Sequence, residues 1–437
     1  MTQDNDDFIL LGYVDLDGLL RGKYISREKF QSWQQSGGTF CSAVLGWDMR
    51  DELYDNTHSG WFNGFPDDPV QIASTEGTRL PNGRHFYLME YADGKGAGIC
   101  PRRLAARVLE RGQDMGFSLK AGFEYEFYVF RETPESAKAK GFRNLTPFSP
   151  SGSCYSILRT ATHEDFFSGL LSLSQQLGTP LEALHPEAFP GAMEFALTPA
   201  EGLQAADRAV IFKTFAKAWG QQRDLTLCFM AKPISGMSGC GGHTHLSLWQ
   251  GEQSAFYHED DAQGLTQTAR HYIGGLLHYM PELMALYAPT INAFTRLAPG
   301  FWAPTGANWG IDNRTCALRV LGESAKSKRI EVRPPAADAN PYLVLAAAHA
   351  SGLAGIEEHI EPPAALAANG YADKLPPERL FPRSLEEAAA RLRHSDMARR
   401  WLGDTFVEHF ATSREAEVAA HRAAVSDWEL ERYFEII

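Results

Sequence analysis

"GFEYEFYVF", residues 122–130, alternates apolar and acidic side chains. On a strand, residues i and i+2 point the same way. Phe123, Tyr125, Phe127 and Val129 then share one face, and Glu124 and Glu126 share the other. Two carboxylates side by side repel each other unless a cation or a proton lies between them. The segment reads as a strand with one buried face and one chemically loaded face.

Three further segments repeat this pattern. "GGHTHLSLW" (241–249) sets His243, His245 and Ser247 opposite Leu246 and Leu248. "RIEVR" (329–333) sets Arg329, Glu331 and Arg333 opposite Ile330 and Val332. "NRTCALRV" (313–320) adds Arg314 and Arg319. Any one of these alone reads as a solvated outer face. Together they do not, because solvated strands favour Lys and Thr over Glu-x-Glu, His-x-His and Arg-x-Glu-x-Arg. Carboxylates with one or two histidines suit Mg²⁺ or Mn²⁺. Arginines suit carboxylate and phosphate anions. Metal beside arginine fits phosphoryl transfer, which depends on positioning and charge neutralisation. The chain has neither a G-x-x-x-x-G-K-[ST] loop nor a G-x-G-x-x-G turn, so a bound nucleotide would use another cradle.

The chain has 437 residues, enough for two domains, and a net charge of −13. That charge argues against nucleic acid or an anionic membrane as the main partner. Six cysteines (41, 100, 154, 228, 240 and 316) lack any C-x-x-C pair, which suits reduced thiols in a cytoplasmic protein. "MTQDNDDF" at the start has no basic or apolar region of the signal-peptide kind. "YLVLAAAHASGLAGI" (342–356) is too short to span a bilayer and reads as a buried helix.

Residues 8–100 read as short strands and loops, with a hairpin at Asp17-Gly18. Pro101 opens a helix that stops at Gly116, and a domain boundary is expected near residue 100, giving 1–100 and 101–437. Helices are predicted over 162–177 from Thr162, over 205–219 with Gly220 as the stop, and over 341–357 behind Asn340-Pro341. "SLEE" (from Ser384) and "SDWE" (from Ser426) read as capping boxes. "PGFWAPTG" (299–306) reads as a loop that carries Phe301 and Trp302 without an evident core to bury them.

These segments occur in a recognisable order. "GFEYEFYVF", "HPEAFPGAMEF", "FMAKPISGMSGCGGHTHLSL", "TRLAPGFWAP", "DNRTCALRV" and "KRIEVRPPAADANPYL" together resemble the glutamine synthetase superfamily. The resemblance runs from "VDLDGLLRGK" (14–23) to "DWELERYF" (427–434) and is weakest over the first domain. It implies an α+β fold: an N-terminal β-grasp domain, then a catalytic domain whose curved antiparallel sheet is flanked by helices. It also implies a hexameric ring, or two rings stacked as a dodecamer, with each active site between neighbouring subunits.

The resemblance implies the following roles. Glu126, Glu187 and Glu194 would hold one metal, and Glu124, His243 and Glu331 another, with two or three Mg²⁺ (or Mn²⁺) ions per active site. Arg296, Arg314 and Arg333 would grip L-glutamate and the phosphoryl group, with Gly239 near the substrate amine. Glu182, His245, Ser247, Lys326 and Arg329 would line the ATP pocket, and Arg319 would meet its phosphates. Asp48 and Asp68 of a neighbouring subunit would reach the acceptor site beside Tyr155. The implied reaction joins the γ-carboxylate of glutamate to an amine through a γ-glutamyl phosphate. Catalytic duties fall to Asp48, Arg314 and Arg333.

The chain departs from the family at the flap. Ammonia-using members read Gly-Tyr-Glu-Ala-Pro there; this chain reads Gly300-Phe301-Trp302-Ala303-Pro304. The indole N–H only donates, so Trp302 cannot serve as a base. Its face attracts alkyl, aromatic or cationic groups. The expected acceptor is therefore a substituted amine (alkyl, aromatic or poly-), as in the γ-glutamylamide synthetase branch. The alternative is an ordinary ammonia-dependent glutamine synthetase in which Trp302 only packs the loop and Asp48 is the base. A metal-dependent hydrolase is disfavoured by Lys326 and Arg329, and an inactive homologue by the six occupied ligand positions. Ala192 and Ser238 stand where the family usually has glutamine and often asparagine, so a related γ-carboxylate is a second candidate acid. "GYADKLP" around Tyr371 matches the family's adenylylation segment poorly, and no modification is expected.

Overall fold

The first apolar run forms Phe8–Val14 (β1), turns, and returns as Leu20–Ser26 (β2). The expected hairpin is present, pairing Phe8 with Ser26 and Val14 with Leu20. Gly18 supplies the turn at φ 80, a conformation that side chains resist. Strands Gly38–Cys41 (β3), Asp67–Ile72 (β4), Thr78–Arg79 (β5) and His85–Tyr91 (β6) complete a sheet ordered β2-β1-β6-β4-β3, with β5 on β6. β1 and β6 run parallel. Helix Arg27–Ser36 crosses between β2 and β3 and buries Phe30 and Trp33 against Leu11, Tyr13 and Val70. This is the β-grasp arrangement. The structure is a computed structural model that describes residues 7–74 and 76–437; residues 1–6, most of the segment without a signal-peptide pattern, and Thr75 lie outside the described residues.

Helix Pro101–Asp114 begins at its proline and gives way to Gly116 at φ 86. A ten-stranded sheet follows. Its strands are Ser118–Phe130 (β7), Leu181–Pro186 (β8), Ala192–Leu197 (β9), Ala200–Glu201 (β10), Thr226–Cys228 (β11), Gly242–Gln250 (β12), Gln253–Ser254 (β13), Trp309–Ile311 (β14), Leu318–Leu321 (β15) and Arg329–Val332 (β16). The order is β14-β15-β16-β12-β7-β9-β8, with β10 and β11 on β7 and β13 on β12. β7 lies inside the sheet, antiparallel to both β12 and β9.

The apolar face of β7 packs as its alternation requires: Phe123, Tyr125, Phe127 and Val129 are all buried. Phe195 of β9 meets Phe212 of helix Leu203–Gln221 edge-on, with ring centroids 4.7 Å apart. Helix Pro341–Glu357 is buried from Pro341 to Gly355, with Asn340 accepting from the Tyr342 amide at 3.0 Å. No described helix is long and apolar enough to cross a membrane. All six cysteines are free.

Four local readings need correction. Thr162 does not open a helix; it ends Ile157–Thr162, and its hydroxyl donates back to Leu158 O at 2.7 Å, so His163 precedes Glu164–Gln176. Gly220 lies inside Leu203–Gln221, where a Cβ would come within 2.4 Å of Leu227, so its role is close packing. Ser384 caps its helix, but Glu387 bonds the Arg383 amide at 2.9 Å, leaving the box half made; the box at Ser426 is complete. In "NRTCALRV" only residues from Leu318 are strand, because Asn313 accepts from the Thr315 amide at 3.0 Å and turns the chain.

The two sheets are tied together by buried charge. Arg102 reaches Glu90 of β6 at 2.6 Å and Asp207 of helix Leu203–Gln221 at 2.9 Å. Asn340 donates to Asp15 O at 2.9 Å. Removing Arg102 would leave Asp207 without its ion pair and Glu90 with the more distant Arg103, 3.8 Å away, a class of change that costs about 3–5 kcal/mol. Arg102→Met is expected to lower the midpoint of chemical denaturation by a corresponding amount. An unchanged midpoint would show that the clamp carries no stability.

Candidate active site

The strand registers place the charged residues in rows. Glu194 of β9 lies opposite both His185 of β8 and Glu126 of β7. Glu124 of β7 lies opposite His243 of β12. Glu331 of β16 lies opposite His245 of β12 and Arg319 of β15. Directly opposed residues on antiparallel strands share a face. One face of the sheet therefore collects the acidic, imidazole and guanidinium groups that the alternation singled out.

Near β16 this face is well supplied with positive charge. Nδ1 of His243 lies 3.1 Å from Glu124 and 3.5 Å from Glu331, and Nε2 of His245 lies 3.5 Å from Glu124. Arg319 reaches Glu331 at 3.0 Å, and Arg333 bonds its other oxygen. Burial works against ionisation of Glu124, but bonds from His243 and His245 outweigh it and hold this carboxyl well below its usual range. Burial opposes ionisation of Glu331 too, yet Arg333 and the two histidines bring it down to about 2.

Near β8 the balance reverses. Glu194 is pushed up to about 7, by burial and by repulsion from Glu124 and Glu126, against a bond to His185 that acts the other way. Burial and Glu126 likewise raise Glu187. His185 lies 3.1 Å from Glu194 and 3.4 Å from Glu187.

Two groups of donors are close enough to share an ion: Glu124, His245 and Glu331, and His185, Glu187 and Glu194. Both fit a divalent cation, since each couples carboxylates to imidazole in a site whose acids crowd one another. Compared with the expected sets, His185 stands in place of Glu126 in one group, and His245 stands in place of His243 in the other. His243 stays within 3.1 Å of Glu124, and Glu126 accepts from the Gly241 amide at 2.5 Å. His185 was missed in the sequence, although His185-x-Glu187 has the same i, i+2 spacing used elsewhere.

Two cavities meet at this face. The one of about 610 Å³ contains Glu126, Glu187, Glu194, Gly239, Arg296 and Arg314, with Tyr155, Trp302, Arg319 and Arg333 around them. The one of about 930 Å³ contains Glu182, His245, Ser247, Lys326 and Arg329. Glu124 lines both. Arg296 is buried, with its guanidinium held by Pro334 O at 2.9 Å and Arg333 O at 3.3 Å. Gly239 lies against it, where a Cβ would come within 2.6 Å of Arg296 Cγ.

The flap has neither helix nor strand from Pro299 to Gly306. Trp302 is 62% exposed at φ 60 and is not packed into a core. Its carbonyl accepts from Arg333 at 3.2 Å. Lys232 Nζ lies 4.1 Å from the Phe301 ring centroid. The hydroxyl of Tyr371 is enclosed. Within this single chain Asp48 and Asp68 line neither cavity. Asp48 accepts from the Arg50 and Glu52 amides at 2.7 and 2.9 Å, and Asp68 from the Gly96 amide at 3.1 Å.

Residues 98–433 match the family model described as the glutamine synthetase catalytic domain. The chain is 37% identical over 440 residues to a type-1 glutamine synthetase of Dictyostelium discoideum, covering 98% of this chain and 84% of that protein. It is 34% identical to a glutamate–isopropylamine ligase of a Pseudomonas species, covering 100% and 97%. It is 35% identical to a γ-glutamylethanolamide synthetase of Streptomyces coelicolor, covering 98% and 93%. A solved chain described as a "GmaS/ADP complex" superposes with a TM-score of 0.85 at 26% identity, covering 99% and 98%. The chain belongs to the glutamine synthetase superfamily. It is an ATP-dependent carboxylate–amine ligase, and divalent metals serve this family together with ATP.

Cation binding at the β8 end requires ionised Glu194, whose carboxyl titrates at about 7. Raising the pH from 6 to 8 is therefore expected to tighten Mn²⁺ binding, by up to about tenfold per pH unit below that value. Calorimetry in buffers of different ionisation enthalpy would read the released protons. Affinity independent of pH would contradict the titration of this carboxyl.

Proposed function

We propose that the chain is a γ-glutamylamide synthetase that joins L-glutamate to a substituted amine at the expense of ATP. The observation that carries this reading is Trp302. An exposed indole stands at the mouth of the smaller cavity, at the flap position where ammonia-using members carry a glutamate. Two relatives support it by name, one forming an isopropylamide and one an ethanolamide of glutamate.

In this reading ATP occupies the larger cavity, with Glu182, His245, Ser247, Lys326 and Arg329 around it and Arg319 toward its phosphates. Arg296, Arg314 and Arg333 orient glutamate in the smaller cavity, beside Gly239. An oxygen of the γ-carboxylate attacks the γ-phosphorus and ADP departs. The amine nitrogen then attacks the acyl carbon and phosphate departs. Two or three Mg²⁺ or Mn²⁺ ions, held by Glu126, Glu187 and Glu194 and by Glu124, His243 and Glu331, would supply neutralising charge.

An alkylamine has a pKa of about 10 and arrives protonated. The flap offers no carboxylate, so that proton falls to Asp48, with Asp68 beside it, from an adjacent subunit of a hexameric ring or stacked dodecamer. Trp302 and Tyr155 wall the organic group of the amine. Residues 1–100 would form the β-grasp domain and 101–437 the catalytic domain of a cytoplasmic enzyme.

The test is phosphate release with ATP, glutamate and a panel of ammonia, methylamine, isopropylamine, ethanolamine, phenylethylamine and a polyamine. An organic amine is expected to exceed ammonia in kcat/KM. Trp302→Glu is expected to move the ratio toward ammonia by about tenfold or more, near 1.4 kcal/mol in transition-state terms. Ammonia winning clearly with the unaltered enzyme would overturn the reading and restore the ordinary glutamine synthetase alternative.

A further inference from the structure

We propose that Lys232 is a positioning residue for the amine step: through the ring of Phe301 it ties the flap, and with it Trp302, to the loop that carries Gly239. The proposal rests on reading residues 299–306 as the flap over the acceptor position.

Lys232 does not line the smaller cavity, whereas Phe301 and Trp302 do. One side chain holds its backbone at both polar atoms. The Lys232 amide donates to Asn292 Oδ1 at 2.7 Å, and the Lys232 carbonyl accepts from Asn292 Nδ2 at 3.1 Å. Asn292 immediately precedes the short helix Ala293–Arg296, so this clasp joins Lys232 to the turn that carries Arg296. The Cys240 amide donates to Ala231 O at 2.8 Å, which closes residues 231–240 into a loop beside the cavity.

The Lys232 side chain crosses that loop. Its ammonium donates to Met237 O, two residues before Gly239, and lies 4.1 Å from the centroid of the Phe301 ring. Among the described residues it has no carboxylate partner. Its charge is therefore spent on a carbonyl and a ring face. A cation over an aromatic face is attracted by the ring quadrupole, more strongly where water is displaced, and Lys232 is half-buried.

Arg333 meets the next residue, donating to Trp302 O at 3.2 Å. Two cations thus hold two consecutive flap residues, one at the side chain of Phe301 and one at the backbone of Trp302. The approach to them is loose: Pro299 and Gly300 are exposed, and Gly300, at φ 83, has open space where a Cβ would lie. Without Lys232, Phe301 loses its cation and Trp302 is left to the Arg333 bond. The amine is then less well oriented toward the acyl phosphate. Water attacks in its place and returns glutamate and phosphate, so the loss reads as phosphate released without amide.

The test compares the full-length protein with Lys232→Met, Lys232→Arg, Phe301→Leu and the Lys232→Met/Phe301→Leu double variant. Each receives ATP, glutamate, Mg²⁺ and the acceptor that the unaltered enzyme uses best. Amide formed per phosphate released is expected to fall about threefold or more in Lys232→Met and in Phe301→Leu, and to recover in Lys232→Arg. It is expected to fall no further in the double variant, with KM for ATP unchanged throughout. Hydrogen exchange of the peptide from Pro299 to Pro304 is expected to quicken in Lys232→Met and not in Lys232→Arg. An unchanged ratio in either single variant, or losses that multiply in the double variant, overturns the proposal. If Lys232→Met does not fold, Phe301→Leu in the loop decides alone. If ammonia proves the best acceptor, the substituted-amine reading falls, while the ratio measured with ammonia still decides the role of Lys232.

Discussion

Repulsion among the five carboxylates on one face of the large sheet is the constraint around which the rest is arranged. Glu124, Glu126, Glu187, Glu194 and Glu331 cannot all ionise side by side in a half-buried setting without positive charge between them. The chain answers this unevenly. At the β16 end Arg319, Arg333, His243 and His245 surround Glu331 and Glu124 and keep them ionised. At the β8 end the corresponding support is His185, and Glu194 holds its proton up to about 7. The protein thus supplies much of the counter-charge at the β16 end, whereas at the β8 end the acids are less compensated and would depend more on a bound cation.

That division needs a rigid backing. A slip of one residue in β7 would turn Glu124 and Glu126 into the core and Phe123 and Tyr125 out of it. The apolar face resists such a slip because Phe123, Tyr125 and Phe127 are enclosed with Phe195, Phe212 and Phe229 in one continuous core. Register, and with it the rows of ligands, is therefore held from behind the sheet, by groups with no part in the chemistry. The smaller sheet is fastened to this body through Arg102, Asn340 and Arg414, which faces Asp17 at 2.8 Å.

What was legible in the sequence follows the same logic. Period-two alternation with charge on one face is a long, repeated signal, and it revealed β7, β12 and β16 with the charged residues they carry, while Glu187, Glu194 and Arg296 came from the family resemblance. It failed at Arg314, where Asn313 turns the chain before the strand begins, because a side-chain bond to the Thr315 amide leaves no trace in the alternation. It also passed over His185, since "HPEAF" contains a proline and reads as a break rather than as a strand ending in a ligand turn. Thr162 and Gly220 misled for a related reason. A hydroxyl or a missing side chain can serve capping or close packing, and only the neighbours in space decide which. Asp48 and Asp68 line neither cavity of the described chain, and their proposed role would need a neighbouring subunit.

The flap shows how one part of such a site can change without disturbing the rest. Arg333 joins two functions: one nitrogen bonds Glu331 among the cation ligands, and another donates to the backbone carbonyl of Trp302 at 3.2 Å. A carbonyl is the same whatever side chain its residue carries. The link between the phosphoryl end and the flap therefore survives any substitution at 302 that keeps the local fold. The left-handed backbone at Trp302, φ 60, aims the side chain without engaging it in a core. Position 302 is thus free to carry a carboxylate or an indole while Arg333, Glu331 and Arg296 keep their places. In the proposed reaction, acceptor choice would rest on the side chain at 302 and the tie to Arg333 on its backbone carbonyl, so the first could be altered while the second is held.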